Sequence, residues 1–247
     1  MCDSCGLKGA VHRPALDRRS ALALGLGFVA AAAAPLRALA DISDKPPPKP
    51  ENVVSLSEAL DRLMEGNARY VSGVATREDF VAGREALIGG QNPYAGILSC
   101  ADSRVVPEFA FDSAPGDLFV CRVAGNFVNP DSLASFEYAV NALKTPLIMV
   151  LGHESCGAIK ATISAIVDKA TLPGHLPALA AGIGPAVEAV VNKPGDRLLN
   201  ATKENIRRNV ATLKAAGPIV SAAVNEGRVQ VVGGLYRLQT GQVELIG

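Results

Sequence analysis

Excess charge of either sign is missing: 24 lysines and arginines balance 24 aspartates and glutamates over 247 residues. No global field therefore draws in nucleic acid or an acidic membrane, and a small neutral partner or a second copy of the chain fits better. Tryptophan is absent, which excludes any pocket built on an indole, and aromatics make up only 4% of the chain. Histidine is scarce, with His12, His153 and His175 the only three. The one C-x-x-C pair is Cys2 and Cys5, so the rest of the chain carries no thioredoxin-like redox motif. No internal repeat is visible.

The 49% hydrophobic content suffices for a full core in one or two domains, but part of it is not core. After Arg13, Arg18 and Arg19 comes "SALALGLGFVAAAAAPLRALA", ending in Ala38-Leu39-Ala40. A basic segment, a short apolar segment and an A-x-A ending predict a cleavable export signal over residues 1–40. The run from Ala21 to Leu36 is too short for a good membrane span, so no membrane association is expected after cleavage. "DRRSALAL" resembles a twin-arginine signal, although Asp17 stands where serine or threonine is usual and Ala21 where phenylalanine is usual. That resemblance implies the twin-arginine export machinery as a partner and a periplasmic location. Residues 41–54, with "DKPPPKPEN", read as a Pro-rich spacer, and residues 55–247 as one folded domain. Cys2 and Cys5 fall in the segment that would be lost.

Within that domain, Leu56, Leu60, Leu63 and Met64 recur at helical spacing behind a cap at Ser55 or Ser57. A second helix is predicted from Asp79 to Ile88. "YAGILSC", "DLFVCRVAG", "PLIMVLGH" and "VQVVGGLYRL" read as strands, with Gln242 to Ile246 as an edge strand. "PDSLASFEYAVNALKT" places Leu133, Phe136, Val140 and Leu143 on one helix face, capped by Asp131 or Ser132. Further helices are predicted in "CGAIKATISAIV" and "ATKENIRRNVATLKAA". Strands alternating with helices predict an α/β fold, a mostly parallel central sheet flanked by helices with an N-terminal helical arm.

In such sheets ligands bind beyond the carboxyl ends of the strands. Cys100 ends the first strand and His153 the third, with Cys156 three residues on in "LGHESCGA". Two thiolates and an imidazole favour zinc over magnesium or calcium. Three ligands with an open fourth position describe a catalytic ion, and a fourth ligand from Asp102 would close it. Arg104 can hold Asp102 in a bidentate pair, away from the metal. By spacing alone, a catalytic zinc, a structural zinc and no metal all stay open. Cys121, inside a strand, reads as core.

"CADSRV" and "GHESCGA", joined by "RVAGN" and "FEYAV" and preceded by "EGNARY", resemble the β-class carbonic anhydrase family from about Leu56 to Ile246. The resemblance implies one Zn2+ per chain on Cys100, His153 and Cys156, with Asp102 as fourth ligand only in a closed form. It implies Asp102 and Arg104 as the catalytic dyad, and Gln91, Phe119, Tyr138 and Gly157 as substrate-binding positions. The pocket valine of plant-like members falls near Ala124. Some members close their site and carry a tryptophan-containing bicarbonate pocket. Without tryptophan, this chain is expected to be open near neutral pH. The implied activity is reversible hydration of carbon dioxide to bicarbonate and a proton by zinc-bound hydroxide, in a homodimer or larger homo-oligomer. Two alternatives stand beside it: hydrolysis of carbon disulfide or carbonyl sulfide on the same fold, and a non-catalytic zinc-binding protein.

Overall fold

The computed structural model describes residues 47–77 and 79–247. The predicted export signal, with Cys2 and Cys5, lies outside the described residues, as does the first part of the spacer. Among the described residues no helix is long and apolar enough to cross a membrane.

A single sheet organises the domain. Strands β1 (Ala95–Ser99), β2 (Leu118–Arg122), β3 (Leu147–His153), β4 (Gln230–Tyr236) and β5 (Val243–Ile246) lie in the order β2-β1-β3-β4-β5. The first four are parallel, with Leu98 opposite Val150 and Met149 opposite Val232, and β5 closes the edge antiparallel to β4. β1 and β3 are buried along their whole length. They need apolar side chains on both faces and so read as unbroken runs rather than alternating ones.

The helices are α1 (Leu56–Val71), α2 (Phe80–Leu87), α3 (Pro107–Ala110), α4 (Pro130–Asn141), α5 (Gly157–Val167), α6 (Leu176–Val190), α7 (Arg197–Ala215) and α8 (Ile219–Asn225). Successive strand residues point to opposite faces. Ile97, Leu147, Met149 and Leu151 pack with Leu63 of α1, Tyr94 and Phe111. Leu98, Ile148 and Val150 pack on the other face with Phe136 of α4, Ile206 and Leu213 of α7 and Val220 of α8. α7 lies close to the sheet because Gly152 and Gly233 lack side chains: a Cβ there would meet Ile206 at 2.7 and 2.5 Å respectively.

Ser55 caps α1 in a capping box with Glu58, as its spacing predicts. The cap of α4 differs from expectation. Asn129, not Asp131 or Ser132, is the N-cap, and its side chain and that of Ser132 bond reciprocally to backbone N–H groups. Pro130 then occupies the first helical position, where a missing N–H costs nothing. The spacer is not free over the stretch described. The Lys49 backbone exchanges two hydrogen bonds with the Asn92 side chain, and Lys49 pairs with the buried Asp117. Asn52 donates to the same carboxylate at 3.0 Å.

Candidate metal centre

β1 and β3 are neighbours, and Ser99 pairs with Leu151. Cys100, one residue beyond β1, therefore emerges beside His153, the last residue of β3. Cys156 is the N-cap of α5. The H-x-x-C spacing converges because Ser155, between the two ligands, takes the left-handed conformation at φ 55°, unusual for a residue with a Cβ. Cys100 is 4% exposed and His153 and Cys156 are fully buried. One ligand atom from each lies within 4.8 Å of the other two.

The donor atoms of this cluster suit a cation. His153 Nδ1 lies 2.8 Å from the Glu154 carbonyl, which can only accept, so Nδ1 carries the proton and Nε2 presents its lone pair. Nε2 is buried and has no hydrogen-bond partner among the described residues. A hydrogen bond from Cys156, aided by His153 and by the Gly125 N–H at 3.2 Å, outweighs burial and pushes the Cys100 thiol down to about 4. Cys156, beside that thiolate and buried, is pushed up. Tetrahedral zinc with bonds of ~2.3 Å to sulfur and ~2.0 Å to nitrogen spaces its ligand atoms about 3.5–3.8 Å apart. Two thiols and an orphaned imidazole nitrogen, all within 4.8 Å of one another, fit the ion.

Asp102 stands beside the cluster. Arg104 donates from Nε and a terminal nitrogen to its two carboxylate oxygens at 2.9 and 2.8 Å, and from its backbone N–H at 3.0 Å. These bonds hold the carboxyl well below the usual carboxylate range. Asp102 Oδ2 is 3.8 Å from His153 Nε2.

The chain does not bring three of the other predicted residues, Gln91, Phe119 and Tyr138, to this point. Gln91 is exposed ahead of the amino end of β1, the end opposite Cys100. Phe119 pairs with Gly96, four strand residues short of Cys100 and so roughly 13 Å away along β1. Tyr138 is half-exposed, with its ring centre 6.3 Å from that of Phe119. Gly157, the first residue of α5, does flank the cluster. With Ala124, Ala161, Leu172, Leu176 and Leu179 it lines an apolar cavity of about 260 Å³. Ala124 at this wall leaves room that a valine would fill.

Several supporting residues escaped the sequence reading. Arg122 donates to three carbonyls of the Cys100–Val105 stretch. Glu154 is held by Arg237, which also grips Glu244. Asn205 on α7 donates to the Gly125 carbonyl at 2.9 Å, and Asn209, one turn on, donates to Asn205 and accepts from Val128 N–H. The i, i+4 pair of asparagines on a helix face otherwise expected to be apolar was the available signal.

Fold and site together define the class first: an α/β protein with a Cys2His centre at the ends of two parallel strands and an arginine-held carboxylate beside it. The sequence model of the carbonic anhydrase family matches residues 95–243. Over 189 residues the chain is 39% identical to carbonic anhydrase 2 of Mycobacterium tuberculosis (strain CDC 1551 / Oshkosh), covering 76% of this chain and 91% of that one. Among solved structures, the tetrameric β-carbonic anhydrases of Sordaria macrospora are 25% identical with a TM-score of 0.61, over 66% of this chain and 85% of theirs. The Coccomyxa β-carbonic anhydrase in complex with acetazolamide is 28% identical with a TM-score of 0.57, over 77% and 82%. The chain belongs to the β-class carbonic anhydrase family, and its activity is carbon dioxide hydration.

Proposed function

We propose that the chain carries one zinc ion on Cys100, His153 and Cys156 and interconverts carbon dioxide and bicarbonate there. The convergence of two buried thiols with an unpartnered imidazole nitrogen carries this reading. Zinc would supply a Lewis acid that lowers the pKa of water from ~15.7 toward ~7 and so provides a nucleophile near neutral pH. The chain's residues do the rest. Asp102, fixed by Arg104, accepts a hydrogen bond from the attacking water and orients it. The apolar wall formed by Ala124, Ala161 and Leu176 admits carbon dioxide, which needs no polar partner to enter. In the first turn of α5 the Ala158 and Ile159 N–H groups bond to the Cys156 sulfur and the Lys160 N–H to the Cys156 carbonyl, so the Gly157 N–H is the donor for the charge that develops on the oxygens of carbon dioxide.

Gln91, Phe119 and Tyr138 cannot reach this cluster in their own chain. Their assignment to the substrate pocket therefore requires a second copy, in keeping with the tetrameric relatives. The active form is then a homo-oligomer whose pockets are shared between chains. Residues 1–40 would direct export through the twin-arginine route to the periplasm, and metal could load before export.

Stopped-flow carbon dioxide hydration and a zinc assay on one sample test the proposal. Activity with about one zinc per chain, the stoichiometry of one three-ligand site, and its loss on chelation are expected. Full activity in zinc-free protein would refute it.

A further inference from the structure

Arg122, the last residue of β2, takes no part in ligation or in the dyad. Across the sheet it faces Ser99, and its side chain runs past the end of β1. Nε–H donates to the Cys100 carbonyl at 3.0 Å, and one terminal nitrogen donates to the carbonyls of Asp102 and Val105 at 2.8 and 2.9 Å. Residues 100–105 form neither helix nor strand. At Cys100 the ladder with β2 has ended, so that carbonyl must find its partner elsewhere. Inside the stretch the main chain adds a bond from Val105 N–H to the Asp102 carbonyl at 3.1 Å. Only a planar fork of several N–H donors spans three such acceptors in one fixed geometry; an ammonium group is a point donor.

We infer that Arg122 is a positioning residue: it fixes the backbone from Cys100 to Val105 and thereby the stand-off between the Asp102 carboxylate and the metal ligands. Arg104 holds the carboxylate, and Arg122 holds the chain that carries it. The 3.8 Å from Asp102 Oδ2 to His153 Nε2 is only about half an ångström more than the ~3.3 Å between oxygen and nitrogen ligands on one tetrahedral zinc. A slack stretch closes so small a gap; a clamped one keeps it.

The test compares full-length Arg122→Ala with the wild-type chain. Arg122 is exposed on an edge strand, so the substitution opens no core cavity. Backbone amides of residues 101–106 should exchange with solvent at least about tenfold faster, in metal-free and zinc-loaded protein alike, as expected for a segment that has lost its anchoring bonds. With zinc retained, kcat should fall about ten- to a hundredfold, the scale of a misplacement of up to about 1 Å. Cobalt-substituted protein should show an altered visible spectrum, and added methylguanidinium should restore part of the rate. Wild-type exchange rates overturn the inference, as does a loss of activity that merely follows loss of zinc. Should the alanine chain fail to fold, Arg122→Lys takes its place: intermediate exchange and kcat are expected, and wild-type values for both overturn the clamp. The effect on rate rests on the zinc reading, whereas amide exchange in the metal-free chain reads the clamp alone. A wild type that takes up no zinc thus sinks that reading and leaves the clamp to be decided by exchange.

Discussion

Gly125→Ala is the substitution whose cost can be worked most fully from the structure. Gly125 sits at φ 86°, its N–H donates to Cys100 Sγ at 3.2 Å and its carbonyl accepts from Asn205 at 2.9 Å. An added Cβ would lie 2.4 Å from Ile183 Cδ1 and 3.1 Å from its Cγ1, and Ile183 is fully buried. The left-handed conformation costs a residue with a Cβ ~1–2 kcal/mol, and overpacking a full core adds ~1–3 kcal/mol. The sum, about 2–5 kcal/mol, is a large share of the ~5–15 kcal/mol that holds a typical domain folded. Gly73→Ala separates the two contributions, because Gly73 has φ 72° but a Cβ added there would meet nothing within 4 Å. Denaturant unfolding of both variants at one protein concentration should show Gly125→Ala to be more costly by roughly the overpacking share. Ile183→Val, which removes the clashing methyl, costs ~0.5–1.5 kcal/mol alone but should cost less beside Gly125→Ala, with a coupling on the order of 1 kcal/mol. Chelator competition should show weaker zinc binding in Gly125→Ala and not in Gly73→Ala. Equal destabilisation by the two alanines, or simple addition in the double variant, would refute the reasoning.

Asp102→Asn should keep zinc yet lose hydration activity by about a hundredfold or more, since the amide can turn its NH2 toward the attacking water; stopped-flow rates near the wild-type value would remove Asp102 from the chemistry. The Arg104 pair depresses the folded-state pKa of Asp102, so its contribution to stability is complete above the unfolded value of about 3.9 and is lost as pH falls further. The difference in melting temperature between the wild type and Arg104→Ala should therefore be flat from pH 8 to about 5 and narrow below about 4. A difference that grows in acid would contradict the pairing. Glu154→Ala frees the ligand turn from Arg237 and should speed zinc release to a chelator about ten- to a hundredfold, the usual cost of losing a residue that supports a metal ligand; an unchanged rate would make the pair incidental.

Much of the scaffold was legible because burial writes itself into composition. β1 and β3, covered on both faces, appear as runs of apolar residues, and the clustered Cys100, His153 and Cys156 appear where those runs stop. The Asp102–Arg104 pair was legible for the same reason, as two charges directly after a buried strand. The supporting bonds were not, because they join residues far apart in sequence through backbone atoms. Nothing in "CRVAGN" says that Arg122 points at three carbonyls 17 to 22 residues away. The α4 cap was misread because Asp131 and Ser132 are good capping residues in their own right, while Pro130 sets the helix start two to three residues earlier. Gln91, Phe119 and Tyr138 entered through family resemblance alone, and one chain's geometry leaves them apart from the metal ligands.

The placement of the ligands on adjacent strand ends has a consequence for how the chain folds. Cys100 and His153, with β2 and α4 between them in the chain, are brought side by side only once β3 has docked on β1. An ion bound to both is a reversible cross-link spanning about fifty residues, and the chain-entropy treatment of cross-links assigns such a closure about 4 kcal/mol at the expense of the unfolded ensemble. The unfolded chain offers Cys156 and His153 as neighbours but holds Cys100 at a distance. Uptake of metal by all three residues therefore reports that β3 has docked beside β1.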